Sequence, residues 1–366
     1  MIDSAQFSDK RILVIDKQPK NTNDRTWCFW EKESGYFEDI IYHSWETMEF
    51  KSDQLNLPLS VHPYKYKMIR GIDFYNYCLT KIRNQPNIIF QYGELTFDIA
   101  INYKPSFNGM RLDTQHAMVF NSIYVPQAPA KSTFRLQQHF KGWIIRSSKP
   151  VFDPSKATLM DFRVDQSLGT TFVYVLPLST DRALIEYTLF NKTPMNPGEY
   201  DGPLRQYIEN ILGLSAYTIV EEELGVIPMS SEVFPSNKDG MFYIGTAGGQ
   251  TKASTGYTFR FIQKQADAIV QQICHDKKPP VHNEVPKRFR FYDNTLLHIL
   301  SEDKLPGKQI FEYLFNRNKA NAIFKFLDNE TSLTEELKII STLPKMTFMN
   351  AGIKEFWKLL TSHYIK

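Results

Sequence analysis

The stretch that decides the fold reads Ile-Gly-Thr-Ala-Gly-Gly-Gln-Thr-Lys-Ala-Ser-Thr-Gly-Tyr-Thr-Phe and occupies residues 244–259. A strand-like run, Met241–Ile244, leads into it, and apolar residues at helical spacing predict a helix from about Gly256 to Cys274. Glycine lets a ligand approach the backbone closely, and the free N–H groups at a helix start attract an anion or an electron-rich ring. The pattern indicates the second half of a dinucleotide-binding domain, with an ordinary glycine-rich turn as the alternative.

The composition of the 366-residue chain favours an interior built from large aromatic side chains. The chain holds 27 Phe, 19 Tyr and 5 Trp but only 17 Gly, which is below the usual glycine share of about 7%. Such an interior suits an apolar ligand cavity and equally suits a plain hydrophobic core. The length allows two domains, each with a full core.

The chain has no sequence feature of a secreted, metal-binding or membrane-spanning protein. Cys28, Cys78 and Cys274 are odd in number and widely spaced, so neither a disulfide framework nor a zinc pattern follows. The eight His lack metal-ligand spacing. The segment Met1–Gln6 does not resemble a signal peptide, and no apolar run approaches about 18 residues. We therefore expect a cytoplasmic protein without a metal centre.

The net charge of +3 is unevenly distributed along the chain. The segment from Tyr257 to Lys366 carries 17 Lys and Arg against 12 Asp and Glu. This basic segment suits peripheral contact with an anionic membrane surface, and a solvated helical face is the alternative. No basic stripe with base-stacking aromatic residues is present, so we do not expect a nucleic acid as partner.

The N-terminal part of the chain reads as alternating strands and helices. Arg11–Asp16 is a short apolar run that ends in an acid, as central parallel strands often do. Gly71–Asn84 predicts a helix capped by Asp73, and Asn87–Tyr92 predicts a strand. In dinucleotide-binding folds, an acid placed like Asp16 accepts hydrogen bonds from the ribose hydroxyls, whereas elsewhere it is a strand-end turn residue.

The pattern changes after residue 126, where period-two alternation predicts a mostly antiparallel sheet. After residue 275 the chain reads as helical, including a helix opened by the capping box Ser332–Glu335. The sequence therefore predicts a mixed α/β (α+β) fold with three parts. These are a discontinuous nucleotide-binding domain at 1–126 and 225–275, a β-sheet substrate domain at 127–224, and a helical C-terminal region at 276–366.

A carboxylate stands among apolar residues in the predicted sheet. A turn separates two predicted strands, Phe172–Leu178 and Ala183–Phe190, which indicates a hairpin. On the second strand, Glu186 shares one face with Leu184 and Thr188. If that face is buried, desolvation raises the pKa of Glu186 and makes it a proton donor near neutral pH. If the face is exposed, Glu186 is a routine polar residue.

Asp161, in the run Leu159–Arg163, is a second carboxylate of the same kind. It is able to pair with Glu186 across the strands and act in catalysis. It is also able to bind Arg163 or a turn. The sequence leaves both alternatives open.

The chain resembles the lycopene β-cyclases of bacterial carotenoid pathways, which are flavoproteins. Four blocks carry the resemblance, in order and at the expected separations, and together they span nearly the whole chain. The blocks are Asn23–Trp30, Leu159–Gln166, Phe172–Leu178 with Leu184–Thr188, and Gly225–Met229 with Gly245–Tyr257.

The resemblance implies a Rossmann-like FAD-binding domain and a β-sheet substrate domain on either side of the flavin. It also implies an acid-catalysed isomerisation, in which a linear end of lycopene or a related carotene is protonated, closes into a six-membered ring and loses a proton. In this family the FAD must be reduced, with NAD(P)H as the reductant, yet it returns unchanged.

Family roles carry over to individual residues of this chain by position. The essential acidic residue falls on Glu186, and the ribose-binding acid falls on Asp16. The flavin-contacting loop falls on Gly245, Thr246, Gly248, Gly249, Ser254, Thr255, Gly256 and Tyr257. Because a carotene resides in the membrane, the resemblance implies peripheral membrane contact. We expect this contact in the basic helical C-terminal third, including Ile310–Phe311 and Leu314–Phe315.

Two features depart from the family pattern. The acid that usually follows the catalytic one is replaced by Tyr187. The first strand and its G-x-G-x-x-G loop are also missing, since the first glycine is Gly35. The sequence therefore predicts an FAD-binding domain truncated at its N-terminus, weak FAD binding, and an in-frame extension upstream of Met1 that carries the missing strand and loop.

Two other functions fit parts of the pattern. A redox flavoenzyme acting on an isoprenoid would share the glycine-rich loop but would consume reductant in proportion to product. A non-catalytic carotenoid-binding remnant would have lost its flavin, so the flavin absorbance of the purified protein separates it from both enzymes.

Overall fold

The computed structural model describes residues 1–98, 104–126, 133–235, 237–238, 240–276 and 285–361. Its helices are α1 (Gly71–Arg83), α2 (Asp201–Gln206), α3 (Phe259–Asp276), α4 (Lys287–Ser301), α5 (Gly307–Arg317), α6 (Ala320–Leu327), α7 (Leu333–Ser341) and α8 (Lys345–Thr361). Its strands are β1 (Ile12–Asp16), β2 (Thr26–Glu31), β3 (His43–Trp45), β4 (Thr47–Lys51), β5 (Asn56–Ser60), β6 (Lys65–Arg70), β7 (Ile88–Tyr92), β8 (Leu95–Asp98), β9 (Lys104–Phe107), β10 (Met110–Arg111), β11 (Val119–Asn121), β12 (Arg135–Ser147), β13 (Lys156–Asp161), β14 (Thr170–Pro177), β15 (Arg182–Asn191), β16 (Tyr217–Ser230), β17 (Asn237–Lys238) and β18 (Met241–Tyr243).

A seven-stranded sheet forms the centre of the molecule, in the order β16-β12-β15-β14-β13-β4-β5. All neighbouring strands are antiparallel except β13 and β4, which run parallel. The predicted hairpin is confirmed as β14 and β15, and its side chains alternate between two apolar clusters, one on each face. This alternation follows from the period of two in a strand.

The predicted division at residue 224/225 does not match this sheet. Strand β16 runs through that boundary, and β4 and β5 extend the sheet although they lie within the segment predicted to bind the nucleotide. The long-range pairing of β4 with β13 brings residues 47–51 beside residues 156–161. Local sequence cannot reveal such a pairing, because a short strand carries no sign of its distant partner.

The predicted nucleotide-binding segments form smaller sheets beside the large one. Strands β1 and β7 pair in parallel, as do β11 and β18, and β18 leads directly into the glycine-rich loop. Helix α3 begins at Phe259 rather than Gly256, because Gly256 adopts a positive φ of 73° that a helix cannot contain. Helix α1 begins at Gly71 with Arg70 as its N-cap, so the predicted cap at Asp73 is wrong.

The described C-terminal residues form five helices that pack against one face of the large sheet, and the predicted capping box of α7 is confirmed. Ile310, Phe311, Leu314 and Phe315 lie in this apolar core and are all buried. The prediction that these residues contact a membrane is therefore wrong, since the apolar face of α5 packs inward. Among the described helices, none is both long enough and apolar enough to cross a bilayer.

Candidate active site

A cavity of about 500 Å³ lies between the large sheet and the glycine-rich loop. The sheet contributes Glu186 from β15 and Tyr174 from β14, which are direct partners in the strand register. The loop contributes Thr255, Gly256 and Tyr257. The structure therefore brings together the predicted acid and part of the predicted flavin-binding loop, two features far apart in the sequence.

A second carboxylate, Glu223 on β16, also lines the cavity. Glu186 and Glu223 both stand opposite Gly142 of the intervening strand β12. A Cβ atom at residue 142 would lie only 3.0 Å from Cγ of Glu223 and 2.9 Å from Cδ1 of Leu184. The absence of a side chain at Gly142 thus leaves the space in which the two carboxyl groups approach each other.

The carboxyl groups of Glu186 and Glu223 differ in how strongly their surroundings favour the protonated form. Burial raises the pKa of Glu186 well above its usual range, and the nearby charge of Glu223 raises it further. The Thr188 hydroxyl, which donates a hydrogen bond of 2.9 Å to Glu186, partly offsets this effect. Burial also raises the pKa of Glu223, while a 2.7 Å hydrogen bond from Thr26 lowers it. Burial and the charge of Glu223 therefore favour the protonated form of Glu186, whereas the hydrogen bond from Thr26 favours the charged form of Glu223.

Weakly acidic neutral groups surround the carboxyl pair. Burial raises the pKa of Tyr66, Tyr174 and Tyr257, and the hydroxyl groups of Tyr66 and Tyr257 lie 3.4 Å apart. Burial, together with the charges of Glu186 and Glu223, raises the pKa of Cys28. These phenols and this thiol stay protonated near neutral pH, so they offer aromatic faces and hydroxyl groups but no anion.

Asp161 lies apart from this cavity. Its carboxylate accepts hydrogen bonds from Arg163 Nη2 at 2.6 Å and Tyr207 Oη at 2.7 Å. Burial opposes the charge on Asp161, but these two donors together hold its pKa below the usual range. Tyr207 packs in the apolar cluster on the opposite face of the sheet. The alternative in which Asp161 binds Arg163 is the one formed, and its assignment as a second catalytic acid finds no support in this geometry.

The predicted flavin-binding residues divide into two groups. Thr246 joins Thr255, Gly256 and Tyr257 on the cavity wall, and Gly245 donates its backbone N–H to Gln265 at 2.9 Å. Gly256 approaches the sheet so closely that a Cβ atom there would lie 2.4 Å from Oε1 of Gln138. Glycine is therefore required at residue 256 for both its positive φ and this contact.

The second group shapes the loop or lies elsewhere. A Cβ atom on Gly248 would lie 2.3 Å from the carbonyl oxygen of Tyr243, and Gly249 has a φ of 75°. Ser254 donates a 2.6 Å hydrogen bond to Asp293 of α4. Asp16 stands at the carboxyl end of β1, 3.3 Å from Lys20. Their predicted contacts with a cofactor stay predictions.

A family model described as lycopene cyclase protein matches residues 4–352. The chain belongs to this family. It is 26% identical to the lycopene beta-cyclase of Pantoea ananas, over 72% of this chain and 68% of that protein. It is 24% identical to the lycopene beta-cyclase of Pseudescherichia vulneris, with the same coverage. The resemblance that rested on four short blocks is thereby confirmed.

Solved structures with little sequence similarity share the fold of this lycopene cyclase family member. A flavin-dependent brominase superposes with a TM-score of 0.58 at 11% identity, over 96% of this chain and 94% of that one. A geranylgeranyl bacteriochlorophyll reductase-like protein from Thermoplasma acidophilum gives 0.50 at 11% identity, over 98% and 94%. The predicted mixed α/β fold of flavin-dependent enzymes, with a helical C-terminal region, is confirmed.

Sequence reasoning missed Glu223, the residue closest in chemistry to Glu186. The signal was present in the run Glu221–Glu223, which precedes Gly225 in a block already singled out by the resemblance. Only the pairing of β12 with both β15 and β16 shows that Glu223 faces Glu186, whereas Glu222 pairs with Lys141. Within the described residues, no group of three or more acidic, His or Cys side chains is placed to hold a metal ion.

Proposed function

We propose that this protein is a lycopene β-cyclase, which closes the linear ends of lycopene or a related carotene into β-rings with Glu186 as the proton donor. The observation that carries the proposal is the half-buried Glu186, whose pKa is raised, in a cavity lined by the glycine-rich loop. Relatives described as lycopene beta-cyclases support the substrate class. The reaction is an intramolecular addition, so the enzyme class is that of an intramolecular lyase.

The cavity suits a cationic reaction of a hydrocarbon. Protonation of the terminal double bond creates a carbocation, the neighbouring double bond attacks it to form the ring, and loss of one proton gives the product. Tyr174, Phe140 and Trp27 line the cavity and present aromatic faces, which stabilise a cation without attacking it as a nucleophile. Exclusion of water prevents quenching of the cation.

The polar atoms of the cavity fit an isoalloxazine ring. Thr255 Oγ1, Gln138 Oε1 and Glu223 Oε1 are buried without a hydrogen-bond partner among the described residues, and all three residues line the cavity. Phe259, at the start of α3, also lines it, and the first N–H groups of a helix have no intrahelical partner. Thr246, Thr255, Gly256 and Tyr257 would hold the ring of FAD. Reduced by NAD(P)H, the flavin would supply a negative charge that stabilises a nearby cation.

An anaerobic assay with pre-reduced flavin tests this proposal. Ring closure leaves the oxidation state of the carotene unchanged, so many product molecules should form per flavin while the flavin absorbance stays that of the reduced form. The product should have the mass of the substrate. One flavin oxidised per product would instead identify a redox flavoenzyme. Absence of both bound flavin and product would identify a carotenoid-binding remnant.

Substitution of Glu223 by Gln should shift the pH dependence of the reaction. Glu186 donates only when protonated, so activity falls as the pH rises through its pKa. Removing the charge of Glu223 lowers that pKa, and at alkaline pH a pKa lower by one leaves about tenfold less of the protonated acid. The alkaline limb of the pH–rate profile should therefore move to lower pH, with activity retained in acid. Equal loss at every pH would contradict this role for Glu223.

The exposed apolar face of α8 is our candidate for membrane contact, in place of the buried residues of α5. Met346, Met349, Ile353, Phe356 and Trp357 recur at helical spacing and are all exposed. Lysines at 345 and 354 accompany them, as in interfacial amphipathic helices. Phe356→Asp should reduce sedimentation with anionic lipid vesicles, whereas Met110→Asp, at a still more exposed residue of β10, should not.

A further inference from the structure

A second and larger cavity lies within the C-terminal helices. Its volume is about 740 Å³, against about 500 Å³ for the cavity that holds Glu186. Helices α4 to α8 all contribute side chains to its wall, which is almost wholly apolar and includes Phe291, Leu296, Leu314, Phe326 and Phe348. A cavity of this size and character in a folded protein fits an apolar ligand of considerable length.

The outer end of this helical cavity opens beside the exposed face of α8. Met349, Ile353, Phe356 and Trp357 line the cavity, and each is more than half exposed, from 53% to 62%. These side chains therefore form a rim that is in contact with solvent on one side and with the cavity on the other. An apolar molecule that reaches this rim has an apolar path inward.

The inner end of the helical cavity reaches the glycine-rich loop. Ser254 and Thr255 line it there, and Thr255 also lines the catalytic cavity. The hydroxyl of Ser254 is held by Asp293, and that carboxylate is in turn paired with Lys252 at 2.9 Å. The two cavities are thus neighbours that share the wall at Thr255, and the polar groups at this end already have partners within the protein, apart from the Thr255 hydroxyl.

We propose that the helical cavity binds the distal part of the linear polyene while its reacting end lies beside Glu186. This inference rests on the proposed function. A catalytic cavity of about 500 Å³ that must also hold the flavin ring has no room for the whole length of a carotene. The remainder of the chain needs an apolar site next to this cavity, and Thr255, which lines both cavities, places the helical cavity there.

The lining decides between a hydrocarbon and other ligands. A polar metabolite would leave its hydrogen-bonding groups unpaired against phenylalanine and leucine side chains, and each buried unpaired group opposes binding. A bound peptide would face the same penalty along its backbone. A polyene carries no such groups, so it loses nothing by leaving water and gains from burial of its apolar surface.

The test compares two substrates with the same linear end, the full-length carotene and a shortened analogue that lacks the distal half. The filling variant is Ile353→Trp, which adds bulk to the rim without touching the catalytic cavity. Leu337→Trp is the matched surface control, since Leu337 is exposed on α7 and does not line the helical cavity. All variants are compared as full-length, flavin-loaded protein.

We expect Ile353→Trp to lower kcat/KM for the full-length carotene by about tenfold or more, since steric exclusion from an apolar pocket has effects of this order. Its kcat/KM for the shortened analogue should stay within about twofold, as should both values for Leu337→Trp. An equal loss of kcat/KM on both substrates, or no loss on either, would overturn the inference. A lipid chain would then be the occupant of the helical cavity to test. Wild-type conversion of either substrate reports separately on the proposed function.

Discussion

Replacing Glu186 with Gln should lower the rate of carotene cyclisation by about 100- to 10,000-fold, the range typical for a general acid. Gln keeps the shape of the side chain but has no proton to donate to the terminal double bond. The effect should be large because Glu186 is the cavity residue whose pKa burial and Glu223 raise well above the usual range. The Tyr and Cys side chains nearby are weaker acids still. The measurement is single-turnover product formation with reduced flavin.

A matched control separates lost chemistry from lost structure. Glu222→Gln makes the same change on β16, next to Glu223, but at a side chain that pairs with Lys141 outside the cavity. Its activity should stay near that of the wild type. Both variants should bind flavin and unfold as the wild type does. Retention of more than about a tenth of the activity by Glu186→Gln would remove Glu186 from the role of principal acid.

The sequence was sufficient to predict the strand face on which Glu186 lies, because the evidence for that face is local. Alternation along β14 and β15 fixes which residues share a face, and both strands are short enough for the period of two to be unambiguous. The glycine-rich loop was predictable for the same reason. Gly245, Gly249 and Gly256 have positive φ angles, which favour glycine whatever the tertiary surroundings are.

Glu223 was not predictable, because its importance arises from a pairing across β12. Its neighbours in sequence are two other acids, and nothing local marks which of the three faces the cavity. The same dependence on tertiary structure explains why membrane contact was wrongly predicted for Ile310–Phe311. An apolar stripe on a helix predicts burial or membrane contact equally well, and only the position of α5 against the sheet decides for burial.

Replacing Lys252 with Met should lower the free energy of unfolding by about 3–5 kcal/mol, the cost of removing one partner of a buried ion pair. Lys252 Nζ lies 2.9 Å from Asp293 and 2.8 Å from Asn329 Oδ1, and its side chain is only 1% exposed. Met fills a similar volume but leaves the Asp293 carboxylate with Ser254 as its remaining donor. Because this pair fixes the glycine-rich loop to α4, the variant should also bind flavin more weakly. Urea unfolding with the flavin removed measures the stability change alone.

Lys264→Met is the control that shows why burial, rather than distance, sets the size of this effect. Lys264 lies 2.9 Å from Glu330, the same separation as in the buried pair, but both side chains are more than a third exposed. Water solvates an exposed carboxylate that loses its partner, so the cost should be under about 1 kcal/mol. Water cannot solvate a buried carboxylate in this way. The loss of Lys252 therefore leaves an uncompensated charge on Asp293, which lowers the free energy of unfolding more. Equal destabilisation by the two variants would show that the Asp293 site is open to water and that the glycine-rich loop does not depend on this ion pair.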